Sequence, residues 1–399
     1  MHNSQGKRIV KGTSVSNAGN KYAAAAFTAV AVAALLIIRG ALFSFESLDY
    51  INFLSTWISA YRKMSFVEAL AAKVGNYNPP YMYILNIISR AGISDLYLLK
   101  SVSIIFDFLL AFFVMKIVSL KTESINMQIL AFLLTLAIPT VILNSSMWAQ
   151  CDSIYTAFAL GSVYFALRGK SKSAYAFFAL ALSFKLQAAF VLPIFAVFLI
   201  KNKIKIRDCY MFFVVYLAML MPAVLAGVPI GNLLLVYINQ TDTYHYLNLN
   251  AINIWRLVGN VDFDAFRIVG LYSAGLAALG LLYFTYVNRE RLVKTEDYIR
   301  LAYLFAVILP FLLPQMHERF FYMPDVLSLL VFLYDKRRWY VPVTAVFCSF
   351  VTYSWYLMDF IVLIDYIYLA LAMMIVIFII LRDLVISMRT DSLITKEGK

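Results

Sequence analysis

Long apolar runs separated by short polar loops repeat along almost the whole chain. About 20 apolar residues form one helical crossing of a bilayer, and a chain with this pattern holds about ten such runs. We therefore predict an all-α polytopic membrane protein with about ten transmembrane helices. The predicted spans are 22–43, 96–118, 125–143, 153–167, 210–225, 266–287, 298–313, 320–334, 340–357 and 360–381.

One apolar run, 174–200, does not fit this alternation, because basic clusters flank both of its ends. Basic loops stay on the cytoplasmic side, so a single crossing would carry one cluster outside. Lys185 and Gln187 interrupt the run near its middle, and Pro193 follows. A broken helix at membrane depth is tolerated where it lines a cavity. We favour a re-entrant hairpin of two half-helices over a single crossing.

The basic clusters also set the orientation and the division of the chain. The formal net charge is +12, and most Lys and Arg residues fall in loops that would face the cytoplasm. The two long loops, 44–95 and 226–265, then face outward, and a multi-pass protein of a bacterial plasma membrane is expected. The predicted parts are a disordered cytoplasmic head at 1–21, a membrane domain at 22–335, additional C-terminal transmembrane helices at 336–385 and a cytoplasmic tail at 386–399.

Composition excludes several classes of protein. With 63% hydrophobic and 14% charged residues and a mean hydropathy of +0.79, the chain is too apolar for a soluble globular enzyme. It has no dense block of Lys and Arg, so nucleic acid is not an expected partner. The cysteines form no CxxC pair and the histidines lie far apart, so we expect no metal and no cofactor.

The first outer loop begins with two acidic residues. Asp49 lies just beyond the first predicted helix, and Glu46 precedes it. A carboxylate held within hydrogen-bond reach of a hydroxyl can act as a general base, for a gain of roughly 10² to 10⁴ in rate. Asp49 is either such a base or an ordinary loop acid, and we favour it over Glu46 for the catalytic role.

A short apolar stretch lies farther along the same loop, where Tyr77 precedes Pro79 and Pro80. The stretch is too short to span a bilayer, so we expect it to lie in the membrane interface. It is either an interfacial anchor or one wall of an active-site groove that is open to lipid.

A tight outer turn at 147–152 carries Trp148, Gln150 and Asp152 between two predicted helices. Polar groups in so short a turn at the membrane boundary are usually held by partners. Asp152 orients a sugar hydroxyl, pairs with a basic residue or caps the following helix. The sequence leaves these three roles open.

Another outer turn holds three ionisable residues, His317, Glu318 and Arg319. Ionisable residues at a membrane boundary are functional candidates by default. A guanidinium suits phosphate oxygens, His317 can donate to the same group, and Lys185 is a further cation that could reach the same anion. The alternative is an ion pair between Glu318 and Arg319 that caps the turn.

The second long outer loop contributes Asn253 beside Trp255. Amides form hydrogen bonds with sugar hydroxyls, and aromatic rings stack on sugar rings. Asn253 is therefore a candidate for sugar binding, although outer loops are often rich in asparagine.

Five short motifs follow one another along the chain. They are Asp49-Tyr50, Asn76-Tyr77-Asn78-Pro79-Pro80, Trp148-Ala149-Gln150-Cys151-Asp152, Lys185-Leu186-Gln187 and His317-Glu318-Arg319. Over residues 22 to about 335, this series resembles the GT-C class of integral-membrane glycosyltransferases, and in particular bacterial relatives of the second mannosyltransferase of glycosylphosphatidylinositol assembly. The third motif in that family is usually Trp-Gly-Gln-x-Asp, and Ala149 replaces the glycine here.

The resemblance implies an inverting, metal-independent transfer of a hexose, with mannose suggested by the family name. The donor would be a sugar linked to a polyprenyl phosphate, and the acceptor a glycan or lipid-linked molecule, both used on the extracytoplasmic face among membrane lipids. The family's catalytic base maps onto Asp49. Arg319, His317 and Lys185 would bind the donor phosphate. The expected substrate-binding residues are Asp152, Gln150, Trp148, Tyr77, Glu318 and Asn253.

Two other functions stay open. A transporter or flippase for a lipid-linked sugar would share the polar groove and the broken hairpin but would need no base. It also predicts inverted repeats, and the sequence shows none. A non-catalytic assembly subunit would tolerate the loss of Asp49.

Overall fold

The fold is almost entirely helical. The computed structural model of the protein describes residues 12–240, 245–259, 261–358, 361–362 and 364–397, with side chains from 22 to 389. The described chain is 79% helical, which confirms the all-α class. Two short parallel strands, β1 (Asn248–Leu249) and β2 (Met316–His317), pair with each other. The helices are α1 (Gly12–Ala41), α2 (Ser55–Arg62), α3 (Phe66–Ala71), α4 (Pro79–Ile88), α5 (Asp95–Val118), α6 (Ile125–Ala137), α7 (Pro139–Ile142), α8 (Asp152–Leu167), α9 (Ser171–Phe184), α10 (Leu192–Ile200), α11 (Tyr210–Leu225), α12 (Ile230–Leu234), α13 (Val236–Gln240), α14 (Trp255–Val258), α15 (Phe263–Val287), α16 (Thr295–Leu312), α17 (Tyr322–Tyr334), α18 (Tyr340–Leu357) and α19 (Tyr366–Glu397).

Helix length and hydropathy support membrane crossings for part of the predicted set. Each predicted span overlaps at least one helix, although 125–143 covers two helices and 360–381 starts before α19 and includes positions outside the described residues. Five described helices are long and apolar enough to cross a membrane, or six if a bent pair counts as one span. They are Tyr22–Ala41, Asp95–Val118, Ile206–Leu225, Phe263–Val287 and Tyr366–Arg389, with the pair Ile125–Ala137 and Pro139–Met147 as the sixth. The other predicted spans, on α8, α16, α17 and α18, do not pass this test, so helix length alone does not establish ten crossings.

The predicted span 125–143 is not one continuous helix. Ile138 leaves the helical region, with φ −57° and ψ 122°, and Pro139 begins a new helix bent by 56° from the first. Proline lacks a backbone N–H and disfavours helical geometry at the residue before it, which explains the break. The chain then passes through a π-helical turn, Leu143–Met147, into the turn that carries Trp148.

The chain reverses direction at Lys185, as the flanking basic clusters predict. α9 ends at Phe184, Lys185 is extended with φ −147° and ψ 142°, and a 3₁₀ turn leads into α10. The two ends of the run meet, because the backbone N–H of Lys205 donates to Ser171 Oγ at 3.0 Å. The run 174–200 is therefore two helical segments that turn back on each other with Lys185 at the tip, and their re-entry into the membrane stays a prediction.

Helices extend into both of the segments predicted as the ends of the chain. The head predicted at 1–21 lies outside the described residues as far as position 11, whereas α1 already begins at Gly12. The tail predicted at 386–399 is helical as far as Glu397, and the last two positions lie outside the described residues. No Pro or Gly interrupts the sequence between 386 and 397, so nothing local ends α19 at 385.

Helix α8 occupies the centre of the fold, packed between α5 and α9. Most of its side chains are buried, including the small residues of its middle part. A Cβ at Gly161 would lie 2.6 Å from the ring of Phe177 on α9, so only glycine fits this contact without a shift. Small residues of this kind let membrane helices approach closely.

Two buried acids inside the helical body, Asp107 and Asp325, have polar partners on other helices. Arg39 of α1 lies 3.3 Å from Asp107 of α5, and both side chains are buried. Asp325 of α17 accepts hydrogen bonds from Thr140 and Ser349 at 2.8 and 2.9 Å. These contacts fasten α1, α7 and α18 to the central helices.

The helices on the two sides of residue 335 pack against each other. α18 packs against α17, and α19 packs against α16 and α18. The C-terminal helices therefore belong to the same helical body as 22–335.

A re-entrant hairpin would place its two basic ends on one side of the membrane, and the predicted topology puts Glu46 on the other. Lys170, Lys205 and Glu46 are all exposed. With Cys209 replaced by serine, the remaining described cysteines are buried. A cysteine introduced at 170 or 205 should react with a membrane-impermeant maleimide only from the cytoplasmic side. One at 46 should react only from outside. Labelling of positions 170 and 205 from opposite sides would show that 174–200 is a single crossing.

Candidate active site

A cavity of about 380 Å³ lies between the segment that follows α1, the tip of the hairpin and the turn that follows α16. Most of the predicted site residues line it, although they come from distant parts of the chain. Asp152 and Asn253 do not line it. The predicted residues in its wall are Asp49, Tyr77, Trp148, Gln150, Lys185, His317, Glu318 and Arg319.

Asp49 is the most heavily bonded acid of this cavity. Its Oδ2 accepts hydrogen bonds from Trp148 Nε1 at 3.0 Å, Gln150 Nε2 at 2.6 Å and Arg319 Nη1 at 2.5 Å. Its Oδ1 accepts one from the Tyr356 hydroxyl at 2.7 Å. The Asp49 side chain is 14% exposed, so the carboxylate is largely removed from water yet well supplied with donors.

The end of α1 holds Asp49 in this place. Lys100 of α5 donates to the carbonyls of Leu42, Phe43 and Phe45, at 2.7 to 2.9 Å. These carbonyls lie just beyond the C-terminal end of α1, where a cation is favourable. Ser47 then donates to the Trp148 carbonyl at 2.7 Å, which ties the Asp49 segment to the turn at 147–152.

These contacts favour the ionised form of Asp49. Burial opposes ionisation, but the Arg319 charge and the hydrogen bonds from Tyr356, Arg319 and Trp148 outweigh it and hold the pKa of the Asp49 carboxyl below its usual value. Asp49 is therefore negatively charged throughout the physiological pH range.

Arg319 is the partner of Asp49 and not of Glu318, contrary to the alternative of a capping pair. It belongs to a 3₁₀ turn, Glu318–Phe321, and its guanidinium lies over the Trp148 ring at 5.6 Å. Arg319 Nε is buried and has no hydrogen-bond partner among the described residues. The guanidinium thus retains donor capacity beyond its bond to Asp49.

The two residues that precede Arg319, His317 and Glu318, have strongly shifted pKa values. Burial, and then the Arg319 charge, lower the pKa of His317 to about 3, so His317 is neutral at physiological pH. Burial raises the pKa of Glu318 to about 7, although the Arg319 charge acts in the opposite direction. His317 can therefore take part only as a neutral hydrogen-bonding group, whereas Glu318 titrates near neutral pH.

Lys185 has a protein partner, so its role as a cation for an external anion is weakened. Its Nζ lies 2.7 Å from Asp152 Oδ1, and Asn144 donates to Asp152 Oδ2 at 2.8 Å. Lys185 also lies 5.4 Å from the centre of the Tyr77 ring. Of the three roles open for Asp152, pairing with a basic residue is the one the structure contains.

Asn253 organises the outer loop and lies outside the cavity wall. Its Oδ1 accepts hydrogen bonds from Asn248 Nδ2 at 2.5 Å and from the Trp255 backbone at 3.2 Å, and it is fully buried. It therefore holds β1 in place beside β2, the strand that ends at His317. Its predicted contact with sugar is not supported by this position.

The apolar stretch after Tyr77 packs inside the protein. It forms α4, most of whose side chains are buried, and it packs against α2, α9 and α11. A second cavity of about 620 Å³ lies beside it. Small residues make up much of its wall, and it shares Asn76, Tyr77 and Gln240 with the first cavity. The small residues are Ala69, Ala71, Ala72, Gly75, Ala223, Ala226 and Gly227.

Several residues of the first cavity were not predicted from the sequence. Tyr356 of α18 contacts Asp49 directly, although it lies beyond the boundary predicted at 335. A tyrosine near the end of an apolar helix is typical of the membrane interface, so its local sequence carries no sign of this contact. Asn76 and Gln187 also line the cavity and belong to the five motifs, although the sequence assigns them no role in binding. The polar lining residues outside the motifs are Tyr237, Gln240 and Gln315.

The ion pair at the hairpin tip should be needed for stability. Lys185→Met or Asp152→Asn alone leaves one buried charge unpaired, and each should lower the free energy of unfolding by about 3–5 kcal/mol. Lys185→Met with Asp152→Asn removes both charges and should cost less than the sum of the single changes. Unfolding of the purified variants in detergent, analysed as a double-mutant cycle, measures this coupling. The exposed Lys205→Met is the control, and strictly additive losses would contradict the pairing.

Comparison with known proteins assigns no family to the chain. No protein-family model matches it, and no curated protein is significantly similar in sequence. No group of three or more His, Cys, Asp or Glu side chains in the described part of the chain could hold a metal ion. The side chains of the cavity wall place an ionised carboxylate and a guanidinium side by side.

Proposed function

We propose that the protein is a GT-C-type glycosyltransferase of a plasma membrane, with its ten predicted spans and hairpin surrounding an extracytoplasmic active site. It transfers a hexose from a polyprenyl-phosphate donor to a hydroxyl of a glycan or lipid-linked acceptor. The observation that carries this proposal is the contact between Asp49 and Arg319 in the wall of one cavity. Asp49 can take the proton that the acceptor hydroxyl loses, and Arg319 can stabilise the negative charge on the departing phosphate.

The proposed reaction needs a base for the acceptor and a cation for the leaving group. The acceptor hydroxyl oxygen attacks the anomeric carbon while the bond from that carbon to the phosphate oxygen breaks. The hydroxyl proton passes to Asp49, and the polyprenyl phosphate leaves with the bonding electrons. Attack opposite to the leaving group inverts the anomeric centre. Arg319 stabilises the charge that develops on the phosphate.

Arg319 also links donor binding to the basicity of Asp49. A carboxylate bonded by Arg319 and three other donors is a weak base, because these bonds favour its ionised form. A donor phosphate would compete for the guanidinium, whose Nε has no partner within the described chain. Partial withdrawal of that cation raises the pKa of Asp49 and improves proton transfer when the donor is bound.

The second cavity supports the lipid nature of a substrate. It adjoins the reaction cavity at Tyr77, and its wall is rich in small apolar residues. A hydrocarbon chain is the kind of group that gains from burial against such a surface. In this proposal the lipid enters along α4, the helix that begins at Pro79 and Pro80.

Asp49→Asn should abolish transfer, with a loss of roughly 10² to 10⁴ in rate, because an amide cannot accept the hydroxyl proton. Glu46→Gln is the matched control, since Glu46 is an exposed acid of the same segment that does not line the cavity. The measurement is sugar transfer from a radiolabelled polyprenyl-phosphate donor in proteoliposomes, with thermal unfolding to verify the fold. Full transfer by Asp49→Asn would show that Asp49 is not the catalytic base. Movement of the lipid-linked sugar across the bilayer without transfer would favour a transporter.

Arg319→Ala should weaken use of the donor more than use of the acceptor. The expected change is a rise of roughly tenfold or more in the donor KM, with a fall in kcat of roughly 10² to 10³, because the cation also acts on the transition state. The acceptor KM should change little. Lys63→Ala, at an exposed cation of the same outer face, is the control. Equal effects on donor and acceptor KM would count against a phosphate-binding role.

A further inference from the structure

Helix α18 contributes a residue to the active site that the motifs do not include. The Tyr356 ring stacks on the Trp148 ring, with centroids 4.7 Å apart and an angle of 18° between the planes. Its hydroxyl donates to Asp49 Oδ1 at 2.7 Å. Tyr356 also lines the cavity of about 380 Å³. The residue is thus fixed by a ring contact and a hydrogen bond at once.

The four donors around Asp49 are divided unequally between its oxygens. Oδ2 accepts from Trp148, Gln150 and Arg319, whereas Tyr356 is the one donor to Oδ1 among the described residues. A carboxylate offers about four lone-pair sites, two on each oxygen. Oδ2 is therefore fully occupied, and Oδ1 keeps the capacity to accept one more hydrogen bond.

We propose that Oδ1 of Asp49 is the oxygen that takes the proton of the acceptor hydroxyl, and that Tyr356 is the positioning residue for that oxygen. This inference rests on the proposed glycosyl transfer and specifies which atom acts in it. The hydroxyl proton passes to Oδ1, while Tyr356 keeps its own proton and its bond to the carboxylate. No further reactant is required for the step.

Two effects of Tyr356 follow from this geometry. Its bond restrains rotation of the carboxylate about the anchored Oδ2, so that Oδ1 stays in one place for the acceptor. It also stabilises the ionised form, because a hydrogen bond to a charged group is stronger than one to a neutral group. Loss of the hydroxyl should therefore affect both the rate and its pH dependence.

Helix α18 offers a matched control on the same aromatic contact. Tyr353 packs edge-on against the Trp148 ring, with centroids 5.0 Å apart, and it is fully buried. Its hydroxyl has no hydrogen-bond partner in the part of the chain that the structure describes. Tyr353→Phe therefore removes a hydroxyl from the same helix without touching Asp49.

The test compares Tyr356→Phe and Tyr353→Phe by the pH dependence of kcat/KM for sugar transfer. Transfer needs ionised Asp49, so activity falls as the pH falls through its pKa. Loss of the Tyr356 bond raises that pKa, which moves the acid limb to higher pH and costs roughly tenfold or more in rate at pH values below it. Tyr353→Phe should show the same pH dependence of kcat/KM as the unmodified protein. An unchanged acid limb in Tyr356→Phe, or the same shift in both variants, would overturn the proposal.

A titration that does not depend on transfer separates this inference from the proposed function. The carboxyl band of Asp49 can be followed by infrared difference spectroscopy and assigned by its loss in Asp49→Asn. Tyr356→Phe should shift the midpoint of this band to higher pH, and Tyr353→Phe should leave it unchanged. If the midpoint moves but Asp49→Asn retains transfer, the geometry at Asp49 is right and the catalytic role is wrong. A midpoint unchanged in Tyr356→Phe contradicts the inference whatever the transfer assay gives.

Discussion

The ion pair between Asp49 and Arg319 joins two segments that are 270 positions apart in the sequence. Both side chains are mostly withdrawn from water, 14% and 16% exposed, and withdrawal of two charges costs several kcal/mol for each ion. Attraction between the charges repays this cost only if further hydrogen bonds are made. Trp148, Gln150 and Tyr356 make them, so the turn at 147–152 and helix α18 must both reach Asp49. The arrangement of the cavity wall follows from this requirement.

The same constraint governs two further buried cations. Lys185 at the hairpin tip is held by Asp152, and Arg39 of α1 is held by Asp107. Each of these buried cations thus lies against an acid of another element. Because an unpaired charge in an apolar environment is costly, these contacts determine which helices can be neighbours.

Hydropathy and charge predict the helical runs and the reversal at Lys185. These two features depend on local sequence and on the free energy of transferring apolar or charged groups into lipid. The break at Pro139 follows from proline geometry, although length and hydropathy alone do not show it. The motifs predict most of the cavity wall. They do not predict which groups pair, since the choice of Asp152 as partner of Lys185 is a long-range result of packing. The same is true of Tyr356 and of the internal role of Asn253.

The pairing of Lys185 changes how an anion would be bound. With Lys185 compensated by Asp152 and His317 neutral, Arg319 is the cavity cation with donor capacity to spare, and it is already bonded to Asp49. A phosphate and Asp49 therefore compete for the same guanidinium. Any gain in phosphate binding weakens the hold of Arg319 on the carboxylate and raises its affinity for a proton. Two requirements of the proposed reaction, a bound leaving group and an active base, are thereby coupled through one side chain.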